Sequence, residues 1–314
     1  MTATVQRVAV VGAGVIGAGW ASLFLSRGLD VIALDPSPGA ERRLRDAVHA
    51  AWPVLSRLGL ADGASVDRLL FTSDMARAVD TAQFVQESGP ESIDLKQDLL
   101  ARLDRATPAD IVVASSSSGL MPTQLQQMVD LHPERVLIGH PFNPSYLIPL
   151  VEVVPGQATL PRHVESTVAF YASIGKRPIV VRKEVPGHVT NRLQAALWRE
   201  AYSLVERGVA TVGDIDAAIA NGPGLRWALL GPLVNQHLSG GDGGMRHTLE
   251  HLGPPAQAWM DDLGAPQLTP ELATLLVDGV DAELVGIDQR HLVAARDELL
   301  VDLIERKRHQ SHLP

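Results

Sequence analysis

Short apolar runs alternate with stretches of helical spacing from the N-terminus to about residue 184. The runs are rich in β-branched residues and bounded by turn signals, which favours buried strands, and the segments between them repeat apolar residues every three or four positions. The predicted strands are Val8 to Val11, Val31 up to Asp35, Leu69 to Thr72, Phe84 to Glu87, Ile111 to Ser115, Val136 to His140, Leu150 to Val154 and Pro178 to Val181. This alternation predicts an α/β domain with a Rossmann-type, doubly wound, mostly parallel sheet.

Helical spacing continues after Pro186-Gly187, whereas strand-like alternation disappears. Helices are predicted between the strands at Gly39 to Leu58, Leu95 to Arg105 and Pro161 to Ile174, and beyond them at Val189 to Glu206, Val212 to Ala220, Leu233 to Leu238, Met245 to Leu252 and Asp288 to Lys307. We therefore expect a doubly wound domain over residues 1–184, followed by an all-helical domain over residues 185–314.

The first strand leads into the sequence GAGVIG, which has the spacing of a dinucleotide-binding turn. Gly12 permits the tight turn, Gly14 lets the backbone approach a pyrophosphate, and Gly17 allows the helix and the sheet to pack closely. Val15 and Ile16 begin a helix whose N-terminal amides and dipole attract phosphate groups. The turn therefore predicts a bound dinucleotide.

Asp35 ends the second predicted strand and completes this motif. Its carboxylate can accept hydrogen bonds from the adenosine ribose hydroxyls and would repel a 2'-phosphate, which favours NAD over NADP. Arg42 and Arg43 follow within two helical turns and weaken that preference slightly. The alternative is a glycine-rich turn that binds no cofactor, but such a turn would not require the second strand or Asp35.

Composition excludes several classes of protein. The chain of 314 residues is long enough for two domains, and its net charge of -9, with no basic block, disfavours nucleic acid and anionic membranes as partners. Because there is no cysteine, disulfides and thiolate chemistry are excluded. His247 and His251 lie one helical turn apart without the acids of a zinc site, so we predict no metal. With no signal peptide or membrane span recognised, we expect a cytoplasmic protein.

The segment GHPFNPSYLIPLVEVV carries the strongest candidate chemistry. His140 ends a strand at the carboxyl edge of the sheet, where doubly wound folds bind ligands. Glu152 lies in an apolar strand, where a carboxylate is costly to bury without a partner. A His140–Glu152 pair would provide a base with a fixed tautomer beside the dinucleotide, although a strand-end histidine without catalytic function is the alternative.

Polar residues near the same sheet edge are further candidates. Asn143 and Asn191 can donate hydrogen bonds to a substrate oxygen or to the cofactor carboxamide, or they can serve as ordinary capping residues. The run Ser115 to Ser118 can contact the cofactor or a substrate carboxylate, or it can cap the turn before Gly119.

Six ordered motifs resemble those of the 3-hydroxyacyl-CoA dehydrogenase family over nearly the whole chain: GAGVIG, PES with a lysine five residues after its glutamate, SSSSGL, GHPFNP with VEVV, VPGHVTNRL and RGVATVGDID. The resemblance implies an NAD-binding domain, a helical domain for substrate binding and dimerisation, and a homodimer. It also implies site roles for particular residues: His140 as catalytic base, Glu152 as its orienting acid, Ser118 and Asn191 near the reacting oxygen, and Glu91, Lys96, Ser118 and Asn143 as contacts of NAD.

The resemblance also bears on the substrate. The loop from Gly59 to Val66 lacks the lysine cluster used by family members that bind long acyl-CoA. The segments QESGPESIDLK, GLRW and GGDGGMRH are similar to those of the branch that oxidises L-carnitine, although Asn191 stands where we expect an aspartate in that branch. Gly231-Pro232 is similar instead to the branch that oxidises L-gulonate and includes lambda-crystallin.

A trimethylammonium group cannot donate hydrogen bonds, so its recognition needs aromatic faces or a carboxylate. Aromatic residues near the site motifs are candidates, with packing in a core or an interface as the alternative: Phe142, Tyr146, Trp198 and Trp227. Arg226 is the first candidate for a substrate carboxylate, ahead of Arg192 and the serines. We predict NAD-dependent oxidation of a small 3-hydroxy acid, first L-carnitine, with L-gulonate, another small 3-hydroxy acid or a 3-hydroxyacyl-CoA as alternatives. A non-catalytic NAD-binding protein of the crystallin type is the alternative from another class.

Overall fold

A computed structural model describes residues 5–313 of the chain. The chain divides into two compact units, the first ending at Arg192 and the second beginning at Leu193. Among the described residues, none of the helices combines the length and the apolar character needed to cross a membrane.

The first unit is built on an eight-stranded sheet of order β3-β2-β1-β4-β5-β6-β7-β8. The strands are β1 (Arg7–Val11), β2 (Asp30–Leu34), β3 (Leu69–Thr72), β4 (Phe84–Glu87), β5 (Val113–Ser115), β6 (Val136–Pro141), β7 (Leu150–Pro155) and β8 (Arg177–Val180). All neighbours run parallel except β6 and β7, which are antiparallel. The prediction of a mostly parallel, doubly wound sheet is confirmed.

The side chains of β1 alternate between two apolar clusters, one on each face of the sheet. Successive side chains of a strand point to opposite faces, and in β1 Val8 and Val10 join one apolar cluster while Ala9 and Val11 join another. Trp20 and Phe24 of the helix after β1 complete the first cluster with stacked rings 5.3 Å apart. Burial on both faces accounts for the continuous apolar runs of the sequence.

The helices of the first unit follow the strands in the predicted order. They are α1 (Val15–Ser26), α2 (Ala40–Arg57), α3 (Met75–Val79), α4 (Ile93–Ala106), α5 (Pro122–Gln126) and α6 (Pro161–Ser173). The short helices α3 and α5 were not predicted, because a single turn is too brief to show helical periodicity.

The antiparallel pair β6–β7 is joined by the loop of residues 142–149, in which the Asn143–Pro144 peptide bond is cis. The amides of Leu147 and Ile148 both donate to the carbonyl of Pro144, at 2.9 Å. In the register of this pair His140 lies directly opposite Glu152. Residues opposite each other in an antiparallel pair project from the same face, so their side chains meet.

The remaining helices begin at α7 (Thr190–Glu206), which runs from the first unit into the second. They continue as α8 (Val212–Asn221), α9 (Pro223–Trp227), α10 (Pro232–Ser239), α11 (Gly244–Asp262), α12 (Pro270–Glu283) and α13 (Gln289–Arg308). The sequence predicted a helix ending at Leu252, because a proline in a helix interior costs about 3 kcal/mol. The helix instead continues through Pro254 and Pro255. Helices α9 and α12 were not predicted.

Candidate active site

The glycine-rich turn has the geometry that a dinucleotide requires. Gly12 has a φ of +95°, and a Cβ on Gly17 would lie 1.8 Å from the Gly12 carbonyl oxygen, so a side chain is excluded at both positions. At Gly14 a Cβ would meet no atom within 4 Å, which leaves open space before the start of α1. Helix α1 has no side-chain cap and no acid in its first turn. Its N-terminal amides therefore remain available to an anion such as a pyrophosphate.

Asp35 lies beside this turn, directly after β2. Its carboxylate accepts hydrogen bonds from the amides of Ala13, at 2.9 Å, and Ser37, at 2.8 Å. Burial raises the pKa of Asp35, but these hydrogen bonds and the nearby Arg43 outweigh burial and leave the pKa below its ordinary value. The acid is therefore ionised and held against the turn, as the preference for NAD requires.

His140 and Glu152 form a buried pair. Nδ1 of His140 lies 2.8 Å from Oε2 of Glu152, and the two side chains are 6% and 0% exposed. A carboxylate can only accept at this distance, so Nδ1 carries the proton and Nε2 is left with its lone pair. The arrangement can hold one imidazole tautomer and stabilise a proton gained at Nε2.

The second oxygen of Glu152 is bound at the beginning of α7. It accepts hydrogen bonds from the amides of Val189 and Thr190, at 3.0 and 2.9 Å, and from the Thr190 hydroxyl at 3.2 Å. Burial raises the pKa of Glu152, but the bonds from His140 and from these donors outweigh it, so the pKa is lowered. Glu152 is thus a carboxylate with both oxygens satisfied, which is what makes its complete burial tolerable.

His188 is a residue of the site that the sequence analysis missed. It is fully buried at a positive φ of 53°, and its ring centroid lies 5.5 Å from that of His140. Nε2 is 3.3 Å from the Ser117 carbonyl, and Nδ1 has no hydrogen-bond partner within residues 5–313. Burial lowers the pKa of His188 and thereby favours its neutral form beside His140. Its position inside the motif VPGHVTNRL was the available signal.

Glu91 is held by the serine run that follows β5. One of its oxygens accepts from the hydroxyl of Ser117 at 2.7 Å, from the amide and hydroxyl of Ser118 at 2.9 and 3.2 Å, and from the amide of Gly119 at 3.1 Å. Burial raises the pKa of Glu91, but the Ser117 bond, the charge of Lys96 and the amides together lower it.

Lys96 lies beneath this cluster and is only 1% exposed. Its Nζ contacts both oxygens of the buried Glu87, at 2.9 and 3.0 Å, and one oxygen of Glu91 at 3.9 Å. The ammonium is thus enclosed by protein, whereas the Glu91 side chain is 41% exposed. Lys96 thus pairs with Glu87 and Glu91 and presents no exposed charge, and its role in binding a cofactor stays a prediction.

Other candidates lie around the pair at different depths. The ring of Phe142 is 4.9 Å from that of His140, and Tyr146 is half-buried in the same loop. Asn143 is exposed, and Asn191 donates from Nδ2 to the Ser118 carbonyl at 2.8 Å. Phe142 thus lies beside His140 and Asn191 beside Ser118, and their roles in binding stay predictions.

Three of the four remaining substrate candidates belong to the second unit. Arg226 and Trp227 lie on α9, and Trp198 lies on α7; all three are exposed within that unit. Arg192, in the first unit, donates to the Pro186 carbonyl at 3.3 Å. Roles in substrate binding for these residues stay predictions.

A dinucleotide turn, an acid after the second strand and a buried His–Glu pair on one doubly wound sheet define an NAD-dependent oxidoreductase. Family models agree: residues 7–185 match the 3-hydroxyacyl-CoA dehydrogenase NAD binding domain, and residues 187–271 match the C-terminal domain of the same family. The chain belongs to the 3-hydroxyacyl-CoA dehydrogenase family.

Individual relatives and one solved structure show which members of the family the chain is similar to. The chain is 53% identical over 300 residues to an L-carnitine dehydrogenase of Streptomyces coelicolor, covering 96% of this chain and 94% of the relative. It is 49% identical over 302 residues to an L-carnitine dehydrogenase of Bacillus cereus, covering 96% and 92%. Among solved structures it resembles an NAD+-dependent 5-formyl-3-hydroxy-2-methylpyridine 4-carboxylic acid 5-dehydrogenase, with a TM-score of 0.85, 32% identity, and coverage of 98% of this chain and 100% of that one.

Proposed function

We propose that this protein oxidises a small 3-hydroxy acid to the 3-keto acid with NAD, and that its substrate is L-carnitine, which gives 3-dehydrocarnitine. The observation that carries the proposal is the buried His140–Glu152 pair with its 2.8 Å contact, on the same sheet as the dinucleotide turn. The names of relatives about half identical to this chain support the choice of carnitine.

His140 acts as the general base in this proposal. The proton on Nδ1 is held by Glu152, so Nε2 accepts the proton of the C3 hydroxyl. NAD, when bound, supplies the acceptor for the hydride that leaves C3. The C3–H and O–H bonds break and a C=O double bond forms, so one proton and one hydride leave the alcohol and the balance is complete.

Glu152 lowers the cost of that proton transfer. As the imidazole gains a positive charge, the carboxylate already lies against it, held by the amides of Val189 and Thr190. Because these groups are fixed before reaction, little reorganisation is needed when the charge develops. Ser118 and Asn191, linked to each other by a hydrogen bond, are proposed to lie near the reacting oxygen.

The cofactor would be held by the glycine turn, by Asp35 and by the Glu91 cluster. Gly12, Gly14 and Gly17, with Val15 and Ile16 behind them, fit the pyrophosphate, since α1 presents uncapped amides. Asp35 would bind the adenosine ribose. Glu91, with Lys96 behind it, and Ser118 and Asn143 would contact the nicotinamide half.

The trimethylammonium group would be recognised without hydrogen bonds. A cation over an aromatic face gains roughly 0.5 to 2 kcal/mol, and Phe142 and Tyr146 lie in the loop next to His140. Trp198 and Trp227 are further candidates. Arg226 is proposed to bind the substrate carboxylate, because a guanidinium can make two parallel hydrogen bonds to it.

A substrate panel tests this proposal. NADH formation at 340 nm is measured with L-carnitine, L-gulonate, 3-hydroxybutyrate and 3-hydroxybutyryl-CoA, together with the pyridine aldehyde named for the solved relative. We expect the highest kcat/KM for L-carnitine; a strong preference for any other compound refutes that choice. Tight NAD binding without turnover of any of them would favour a non-catalytic NAD-binding protein instead.

We also propose that the protein is a homodimer paired through its second unit. That unit leaves large apolar side chains at least 60% exposed, among them Leu225, Leu233, Trp259, Met260, Leu268 and Leu299. A soluble chain rarely leaves so much large apolar surface uncovered. Sedimentation should give twice the mass of one chain, and a monomer at micromolar concentration would contradict the proposal. A cytoplasmic location, without nucleic-acid or membrane partners, stays a prediction.

A further inference from the structure

Lys176 is a buried cation to which the proposed function gives no role. It lies between α6 and β8 and is 5% exposed. Its Nζ donates to the carbonyls of Ser145, at 2.5 Å, and Ile148, at 2.7 Å, and lies 4.9 Å from the centre of the Trp20 ring. Within residues 5–313 no carboxylate forms an ion pair with it. A buried ammonium with only carbonyls and an indole face as partners is unusual, because burial of a charge is costly.

The two carbonyls belong to the loop of residues 142–149, between the strands that carry His140 and Glu152. The loop is also attached to the cofactor helix, since the Ser145 hydroxyl donates to the Ile16 carbonyl at 3.1 Å. The approach is close: a Cβ on Gly19 would lie 2.1 Å from that hydroxyl oxygen. Lys176 and α1 therefore both hold the loop at Ser145.

This loop carries the groups that the proposed site uses. Asn143 lies at its beginning, and Tyr146 lies between the two carbonyls that Lys176 binds. If the loop moved, Asn143 and Tyr146 would move with it, and so would the contact of Ser145 with the glycine-rich segment. A displacement of about 1 Å in a positioning group can cost roughly a hundredfold in rate.

The charge of Lys176 is finely balanced. Burial lowers the pKa of its amine to about 7, while the carbonyl bonds and the indole face favour the cation and oppose that shift. The titratable group facing it from α6 is Tyr171, whose hydroxyl donates to Gln86 at 2.7 Å and whose pKa is raised by burial, so it stays neutral. From α1 it faces Trp20, which does not titrate, and directly after α1 lies Arg27, a cation whose guanidinium donates to the Ile174 carbonyl at 3.1 Å. Among the described residues no carboxylate pairs with this ammonium, so it can lose its proton near neutral pH.

We propose that Lys176 is a positioning residue for the active site, which holds the 142–149 loop against the cofactor helix most firmly when its amine is protonated. The expected effect of Lys176 on NAD affinity follows from the contacts of the loop and from the membership of this chain in an NAD-binding family. Its effect on substrate rests on the proposed function.

The test is the affinity for NAD of Lys176→Met, measured by calorimetry at pH 6.0 and pH 8.5. Methionine keeps the length and apolar stem but has no donor and no charge. We expect the variant to bind NAD about tenfold more weakly than the wild type at pH 6.0 and only about threefold more weakly at pH 8.5, because charged hydrogen bonds are about twice as strong as neutral ones. Lys183→Met, at an exposed lysine nearby, is the matched control and should equal the wild type at both pH values.

A ratio of affinities that does not change with pH would overturn the proposal, because it would indicate a packing role without the charge. Equal affinities of variant and wild type would also overturn it. If Lys176→Met does not fold, Lys176→Gln, which keeps one donor without the charge, is measured in the same way. The affinity of NAD does not depend on turnover. If the substrate panel refuted the choice of L-carnitine, the role of Lys176 in NAD binding would be unaffected. Likewise, a negative result for Lys176 would not affect the choice of substrate.

Discussion

Replacing Glu152 with glutamine should disable the proposed base while leaving the fold and the cofactor site in place. The glutamine oxygen can still accept from the amides of Val189 and Thr190, which now lie 3.0 and 2.9 Å from Oε1. Its NH2 group would then face Nδ1 of His140, where the carboxylate oxygen lies at 2.8 Å. Because an amide NH2 only donates, the proton of the imidazole would move to Nε2 and the base would be lost.

The size of the fall in kcat can also be estimated from the negative charge that the glutamine variant lacks. Two unit charges about 4 Å apart interact by roughly 4 kcal/mol at an effective dielectric constant of about 20. This attraction stabilises the imidazolium that forms in the reaction and is absent from the glutamine variant. Since about 1.4 kcal/mol corresponds to a factor of ten in rate, we expect kcat to fall about a thousandfold.

The assay is single-turnover formation of NADH at 340 nm with the best substrate of the panel, together with the dissociation constant of NAD. Glu152→Gln should bind NAD within about twofold of the wild type, since the altered atoms belong to the base and not to the glycine turn. Glu165→Gln, at an exposed glutamate on α6, is the control and should show normal turnover. A folded Glu152→Gln protein that keeps more than about a tenth of the wild-type rate would refute the role assigned to this acid.

Three further predictions concern the cofactor turn and the buried acid. Gly17→Ala should lower the unfolding temperature markedly, because its Cβ would lie 1.8 Å from the Gly12 carbonyl oxygen. Gly14→Ala, whose Cβ would have no atom within 4 Å, should fold normally and bind NAD more weakly. Calorimetry of unfolding and of NAD binding distinguishes the two variants. Asp35→Ala should reduce the preference for NAD over NADP about tenfold in paired binding titrations, since the repelling carboxylate is gone. The pKa of Glu152 is lower in the folded protein than in the unfolded chain, so at acid pH the unfolded chain binds more protons. The contribution of Glu152 to the free energy of unfolding is therefore fully present above the unfolded pKa. It is lost as the pH falls through the pKa of the folded protein. The difference in unfolding free energy between wild type and Glu152→Gln should therefore shrink as the pH falls below about 4.5.

Much of the first unit could be predicted because its signals are local. Strands β3 and β4 have the predicted bounds, since turn-forming residues follow the two runs at Ser73 and at Ser88-Gly89. The glycine turn was identified because its requirements are local: Gly12 has a φ of +95°, and a Cβ on Gly17 would lie 1.8 Å from the Gly12 carbonyl oxygen. The closeness of His140 and Glu152 was inferred from the cost of burying an acid, and the structure places them 2.8 Å apart.

What could not be predicted depends on contacts between distant segments. The burial of Lys96 against Glu87, the bonds from the serine run to Glu91 and the position of His188 all require the folded sheet. Helix α12 was missed although Thr269 caps it by accepting from the Leu272 amide, because Gly279 interrupts its apolar spacing. The extent of α11 beyond Pro254 could not be predicted either, because helix propensity disfavours proline in a helix interior.

The candidate site lies where the sheet departs from its parallel order, and the departure explains how the site can form. Parallel neighbours are joined by a crossover of a dozen or more residues, usually with a helix, so a base and its acid twelve positions apart could not face each other on such strands. The antiparallel β6–β7 pair needs only the 142–149 loop, which places His140 opposite Glu152. The same short loop is then held by contacts with both the cofactor helix and Lys176. A single reversal of strand direction thus brings the base, its acid and the candidate contacts for cofactor and substrate into one short stretch of chain, and a substitution that loosens the loop should affect NAD affinity and substrate KM together.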